Sequence, residues 1–156
     1  MKAFLSVIAA LVSIASMPVV ADERAKDVVA FMEEYLRLWN AGDAATITSK
    51  IYRFDAANAF GTQEGLQSEF NRLKAGGYSH SDKISIDACW INATQALVDL
   101  RYTRLKVDGT AMPPKERSTL YFVKKTDDGL RINNLIPMNP TTKWACSSFA
   151  EAGESR

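Results

Sequence analysis

The chain predicts an α+β domain, with N-terminal helices packed against one face of a mainly antiparallel sheet. Two patterns carry that prediction. Apolar residues recur at helical spacing as far as Gly76-Gly77, and beyond that point they alternate at strand spacing between turn signals such as Asp108-Gly109 and Asp127-Asp128-Gly129. Helices first and a meander after them leave the helices to cover one sheet face.

The opening segment, MKAFLSVIAALVSIASMPVVA, stands apart from that domain. Lys2 is a one-charge n-region, an apolar run begins at Ala3, and Val19 and Ala21 have the small-residue spacing that a signal peptidase reads. Cleavage is expected between Ala21 and Asp22. The alternative is a membrane anchor, but the strongly apolar run of about 14 residues is shorter than the roughly 20 a spanning helix needs. The expectation is an exported protein, periplasmic or secreted, with no membrane span in the mature chain. Removing 21 of the 156 residues leaves 135, enough for one domain with a core and too few for two. Residues 1–21 are then a signal peptide, 22–138 the domain and 139–156 a C-terminal tail.

Once Lys2 leaves with the signal, 18 basic residues face 18 acidic ones. That balance argues against nucleic acid or an anionic membrane as a partner, because both require clustered Lys and Arg. Both cysteines, Cys89 and Cys146, survive cleavage and would meet an oxidising compartment. A disulfide between them is expected, worth about 4 kcal/mol in the chain-entropy view, with two separate buried thiols as the alternative. Metal-ligand spacing is absent, and no cofactor is implied.

The first helix is read from Asp27, where Val28, Phe31, Met32, Tyr35, Leu36 and Trp39 follow helical spacing and Glu33 and Arg37 are placed for an i,i+4 pair. It stops in LRLWNAGDAA. Gly42 supplies the left-handed residue beyond the C-terminus, and Asp43 caps a second helix expected over residues 44–52. Thr62 opens a third helix with Glu64 in its first turn, carrying Leu66, Phe70 and Leu73 before Gly76-Gly77 ends it. Four strands follow: KISIDACWI, with Ile84, Ile86, Ala88 and Trp90 on one face; QALVDLRYTRLKV; RSTLYFVKK; and LRINNLIPM.

The order of these elements, the corner LWNAGDAATI, the Asp-Gly hairpin and the closing DDGLRINNL resemble the nuclear transport factor 2-like superfamily, which includes ketosteroid isomerase and scytalone dehydratase. The resemblance spans residues 26–138 and implies a cone of curved sheet closed by helices, with a cavity between them. It departs from the commonest pattern at Leu130, where Trp is usual. Because this fold hosts unlike functions, no catalytic residue is carried over from it.

The aromatics Tyr35, Trp39, Tyr52, Phe54, Tyr78, Trp90, Tyr102 and Tyr121 are candidates to line such a cavity, Trp39 and Trp90 reading more simply as core. Tyr102 and Arg104 share strand parity with Ala96, Val98 and Leu100, which puts polar groups on an apolar face. An inward Arg104 could hold an anion; at a sheet edge it would instead reach for water, as arginine commonly does. The candidate ligand-binding set is therefore Tyr35, Tyr52, Phe54, Tyr102, Arg104 and Tyr121. His80, the one histidine, sits in a polar linker and reads as exposed, while Asp87 and Asp99 fall on the opposite strand face and read as solvated. Asp55 lies near the cone mouth by analogy. Three classes of function remain: non-catalytic binding of a small apolar or amphipathic ligand, which leads; a lyase or isomerase with an acid/base pair in the cavity; and a homodimer or partner module formed through the sheet.

Overall fold

A computed structural model describes residues 23–54 and 58–142. The expected signal peptide, Asp55, Cys146 and most of the C-terminal tail lie outside the described residues.

Helix α1 (Glu23–Ala41) begins four residues earlier than the apolar pattern suggests. Its core face is Val28, Met32, Tyr35 and Leu38, with Phe31 and Trp39 packed beside it. Fully burying one such side chain contributes about 1.5–3 kcal/mol, so this stripe fixes how the helix lies on the sheet. The expected Glu33–Arg37 pair does not form. Arg37 takes Glu34 instead at 2.6 Å, and Glu33 is drawn to Lys83 on the sheet.

The corner after α1 closes as its residues dictate. Gly42 has φ +69°, its amide donates to the Trp39 carbonyl at 3.0 Å, and the Asp43 amide donates to the Leu38 carbonyl at 3.1 Å. This is the two-bond Schellman closure, which a left-handed residue permits. Asp43 then accepts from the Thr46 amide at 3.0 Å and caps α2 (Ala44–Thr46).

The expected helix over 44–52 is corrected here, because α2 lasts three residues and widens into a π-helix, Ile47–Ile51. The Thr48 and Ser49 hydroxyls donate to the Ala44 and Ala45 carbonyls, a competition that loosens helical turns. The wide turn closes with the Tyr52 amide on the Ile47 carbonyl at 2.8 Å and releases Tyr52 into extended backbone, bridged to Ile132. A short 3₁₀ turn (Ala59–Gly61) leads to α3 (Gln63–Ala75), capped by Thr62 and buried through Leu66, Phe70 and Leu73, as its sequence predicts.

Strands β1 (Tyr78–Trp90), β2 (Gln95–Lys106), β3 (Arg117–Thr126) and β4 (Gly129–Met138) form one antiparallel sheet in chain order. The register pairs Ala96 with Val123, Val98 with Tyr121, Leu100 with Thr119 and Tyr102 with Arg117. Those eight residues therefore share the face that the helices cover. On β1, a register shift between Lys83 and Ser85 turns Ile84 outward, where it is 49% exposed, so it does not join Ile86, Ala88 and Trp90 as its spacing suggests.

The outer face holds the other correction. Asp87 is exposed, but Asp99 is only 3% exposed. The Ser118 hydroxyl donates to Asp99 Oδ1 at 2.6 Å, and Arg101 Nε lies 3.3 Å from Oδ2. Arg101 also donates to the carbonyls of Pro140 and Thr142. Arg101 thus ties a buried carboxylate to the start of the C-terminal tail.

Candidate functional site

Between α1 and the inward face of β2, β3 and β4 lies a cavity of about 410 Å³. That is the low end of the range for small-molecule sites. Strand parity selects most of its walls, with Ser118 and Met138 of the opposite parity also in the lining. Leu100, Tyr102 and Arg104 come from β2, Arg117, Thr119 and Tyr121 from β3, and Leu135 and Pro137 from β4, while α1 contributes Tyr35, Leu36 and Trp39. The π-helix delivers Tyr52.

Three tyrosine hydroxyls meet in the wall. Tyr35 and Tyr52 are 2.8 Å apart, and Tyr121 donates to Tyr35 at 3.4 Å. Their rings pack within 6 Å, Tyr35 against Tyr121 edge-on at 5.4 Å. Burial pushes all three phenols well above their ordinary pKa, with neighbouring tyrosines adding to the shift, so they remain neutral at ordinary pH. Two hydroxyl contacts use two of three protons. The third has no acceptor among the described residues and can donate to a bound oxygen. Tyr102 adds a hydroxyl 3.4 Å from that of Thr119.

Arg104 enters the same cavity. Its guanidinium carbon lies 5.9 Å from the ring centres of Trp39, Tyr78 and Tyr102. Aromatic faces attract a guanidinium without using its N–H donors, so the head is held while its hydrogen-bonding capacity stays open. Its Nε is buried without a partner. Behind it, Tyr78 donates to Asn40 Oδ1 at 3.1 Å and lies 2.9 Å from the Ser81 hydroxyl, while Asn40 exchanges two hydrogen bonds with the Ser81 backbone. Asn40 looks like a helix breaker in the sequence. In the fold it is the last helical turn's clamp on β1, and it fixes the tyrosine against which Arg104 rests.

Arg117 is the residue that sequence reasoning missed. Parity with Thr119, Tyr121 and Val123 marks it as inward, but it follows a Pro113-Pro114 loop and reads as a strand edge. Its Nη2 donates to the Pro113 carbonyl, and its Nε is buried without a partner. Burial, and next the nearby charge of Arg104, hold its pKa below the ordinary arginine value. Two carboxylates reach the rim. Glu69 is engaged by Arg72 at 2.6 Å, and Glu116 is exposed.

The other sequence candidates lie elsewhere. Phe54 packs on Tyr52 at 4.4 Å and is not in the lining, because the extended backbone after the π-helix turns it to the far side of that ring. Trp39 is half-buried and forms cavity wall as well as core, whereas Trp90 sits at the far end of β1 under Arg24. His80 lies within β1, paired with Leu105, and not in a linker; it is 44% exposed beside Asp82 and Ser79, away from the cavity.

By sequence the chain matches no known family and no curated protein. Its structure does have counterparts. An NTF2-like protein with a cystatin-like fold from Novosphingobium aromaticivorans superposes with a TM-score of 0.56 at 13% identity, covering 80% of this chain and 86% of that one. An NTF-2-like protein of unknown function from Shewanella oneidensis gives 0.53 at 14%, covering 74% and 99%. An NTF2-like superfamily protein from Salmonella enterica gives 0.52 at 13%, covering 78% and 94%. The cone fold of the NTF2-like superfamily, expected from the order of elements, is the fold this chain adopts. At this identity the likeness concerns architecture alone.

Proposed function

We propose that this chain is an exported, non-catalytic binding domain that holds a small amphipathic molecule in the cone cavity, apolar body among the aromatic walls and polar head toward Arg104. The observation that supports this best is an arginine kept inside an apolar cavity by three rings, with no hydrogen-bond or carboxylate partner among the described residues. An unpaired charge in such a place is costly unless something else pairs with it. The lyase or isomerase reading calls for a carboxylate or imidazole beside a tyrosine hydroxyl, and no such contact occurs among the described residues. The sheet-dimer reading calls for a continuous exposed apolar face; Ile84 and Ile136 are exposed on the outer face, but Leu97, Asp99, Ser118 and Leu120 there are buried within the chain.

Export by a signal at residues 1–21 and a Cys89–Cys146 bridge complete the proposal. N-terminal sequencing of exported material should begin at Asp22, and a start at Met1 would contradict export. Thiol counting under denaturing, non-reducing conditions should find none, and two free thiols would remove the bridge. Native mass spectrometry of the exported protein should show a small organic adduct lost on denaturation. Bare protein that is also not stabilised by added naphthalene carboxylate would overturn the binding reading.

A further inference from the structure

We propose that Arg104 and Arg117 form a two-point clamp for the head of an amphipathic organic acid, which narrows the ligand of the cavity to an anion. This rests on the binding reading above. The register pairs Tyr102 with Arg117, which makes Arg104 and Arg117 diagonal neighbours on the inward face. Such neighbours stand about 7–8 Å apart, within reach of two long side chains converging on one group. Both line the cavity, both have a buried Nε without a hydrogen-bond partner, and neither is in an ion pair among the described residues.

The rest of the site fits an acid better than a neutral ligand. Arg104 is held by ring faces and Arg117 by one carbonyl, so each keeps N–H donors for the fork geometry that matches an oxyanion. Of the carboxylates at the rim, one is already engaged by Arg72 and the other faces solvent. Two like charges side by side in a half-buried mouth repel each other. An entering anion relieves that repulsion, whereas a neutral head leaves it in place. Below the clamp, the spare tyrosine proton and the apolar walls receive the body of the ligand.

The test is titration calorimetry of the full chain with naphthalene carboxylate and with the matching carboxamide, which share a body and differ in head charge. Wild type should bind the acid ten- to a hundredfold more tightly than the amide, as charge-assisted hydrogen bonds imply. Arg104→Met and Arg117→Met should each lose most of that preference, because each lowers acid affinity more than amide affinity. Arg117→Met gives up both the bond to the Pro113 carbonyl and the repulsion by Arg104, so its melting temperature should stay close to that of wild type; a role in holding the fold would lower it well below. Should wild type bind acid and amide equally, the cavity reading stands and the clamp falls. If acid is preferred but Arg117→Met leaves that preference intact, the clamp likewise falls. Binding of neither compound would remove both readings.

Discussion

Replacing Asp99 with Ala should be among the most damaging single changes available on the sheet. Its side chain is 3% exposed, accepts from Ser118 at 2.6 Å and lies 3.3 Å from Arg101, whose own side chain is 15% exposed. A hydrogen bond to a charged group is worth about 1.5–3 kcal/mol, and removing one partner of a buried pair leaves the other charge uncompensated. Arg101 keeps the Pro140 and Thr142 carbonyls, which offsets part of that loss. The net expectation is about 2–4 kcal/mol, or roughly 3–5 °C of melting temperature per kcal/mol for a domain of this size. Asp99→Asn keeps the shape and an acceptor for Ser118, so it should cost about half as much. Urea denaturation of Asp99→Ala, Arg101→Met and the double variant measures the coupling directly. The double variant should be less unstable than the two singles predict together. A cost below about 0.5 kcal/mol for Asp99→Ala would refute the argument, since that is the scale of an ordinary surface substitution.

Two further predictions concern the corner and the tyrosines. Gly42 has φ +69°, so Gly42→Ala should cost about 1 kcal/mol, and an unchanged denaturation midpoint would contradict the Schellman corner. The three buried phenols have folded pKa values raised above about 10, so the unfolded chain releases their protons first as pH rises. Stability from this source is fully present below about pH 10 and falls above it, by up to about 4 kcal/mol per pH unit for three groups. Tyr121→Phe should flatten that slope by about a third; equal urea midpoints for wild type at about pH 9 and pH 11 would contradict the reading.

Most of the fold was legible because its signals are local. Gly42, Thr62, Gly76-Gly77 and the Asp-Gly turns each act through their own backbone, and strand parity put Tyr102 and Arg104 on the apolar face while leaving open an Arg104 that reaches out to water at the sheet edge. What escaped the sequence depends on partners distant in the chain. Ile84 has the right parity but follows a bulge set by pairing with β2, and Asp99 has the parity of a solvated residue but is enclosed with Ser118 and Arg101. The π-turn arises from competing hydroxyls at Thr48 and Ser49, a contest that periodicity does not express. At the site, Tyr35, Tyr52, Tyr102, Arg104 and Tyr121 do come together, and Arg117 joins them through the same parity. Its place behind a proline loop hid it.

The central claim, that the cone cavity is a ligand site, is tested most directly by nuclear magnetic resonance titration of the isotopically labelled full chain with naphthalene carboxylate. Saturable shifts should concentrate on Trp39, Leu100, Thr119 and Leu135 and on the side-chain signals of Arg104 and Arg117, leaving Asp87 and Ile136 on the outer face unmoved. Shifts centred on the outer face, or none at saturating concentration, would contradict it.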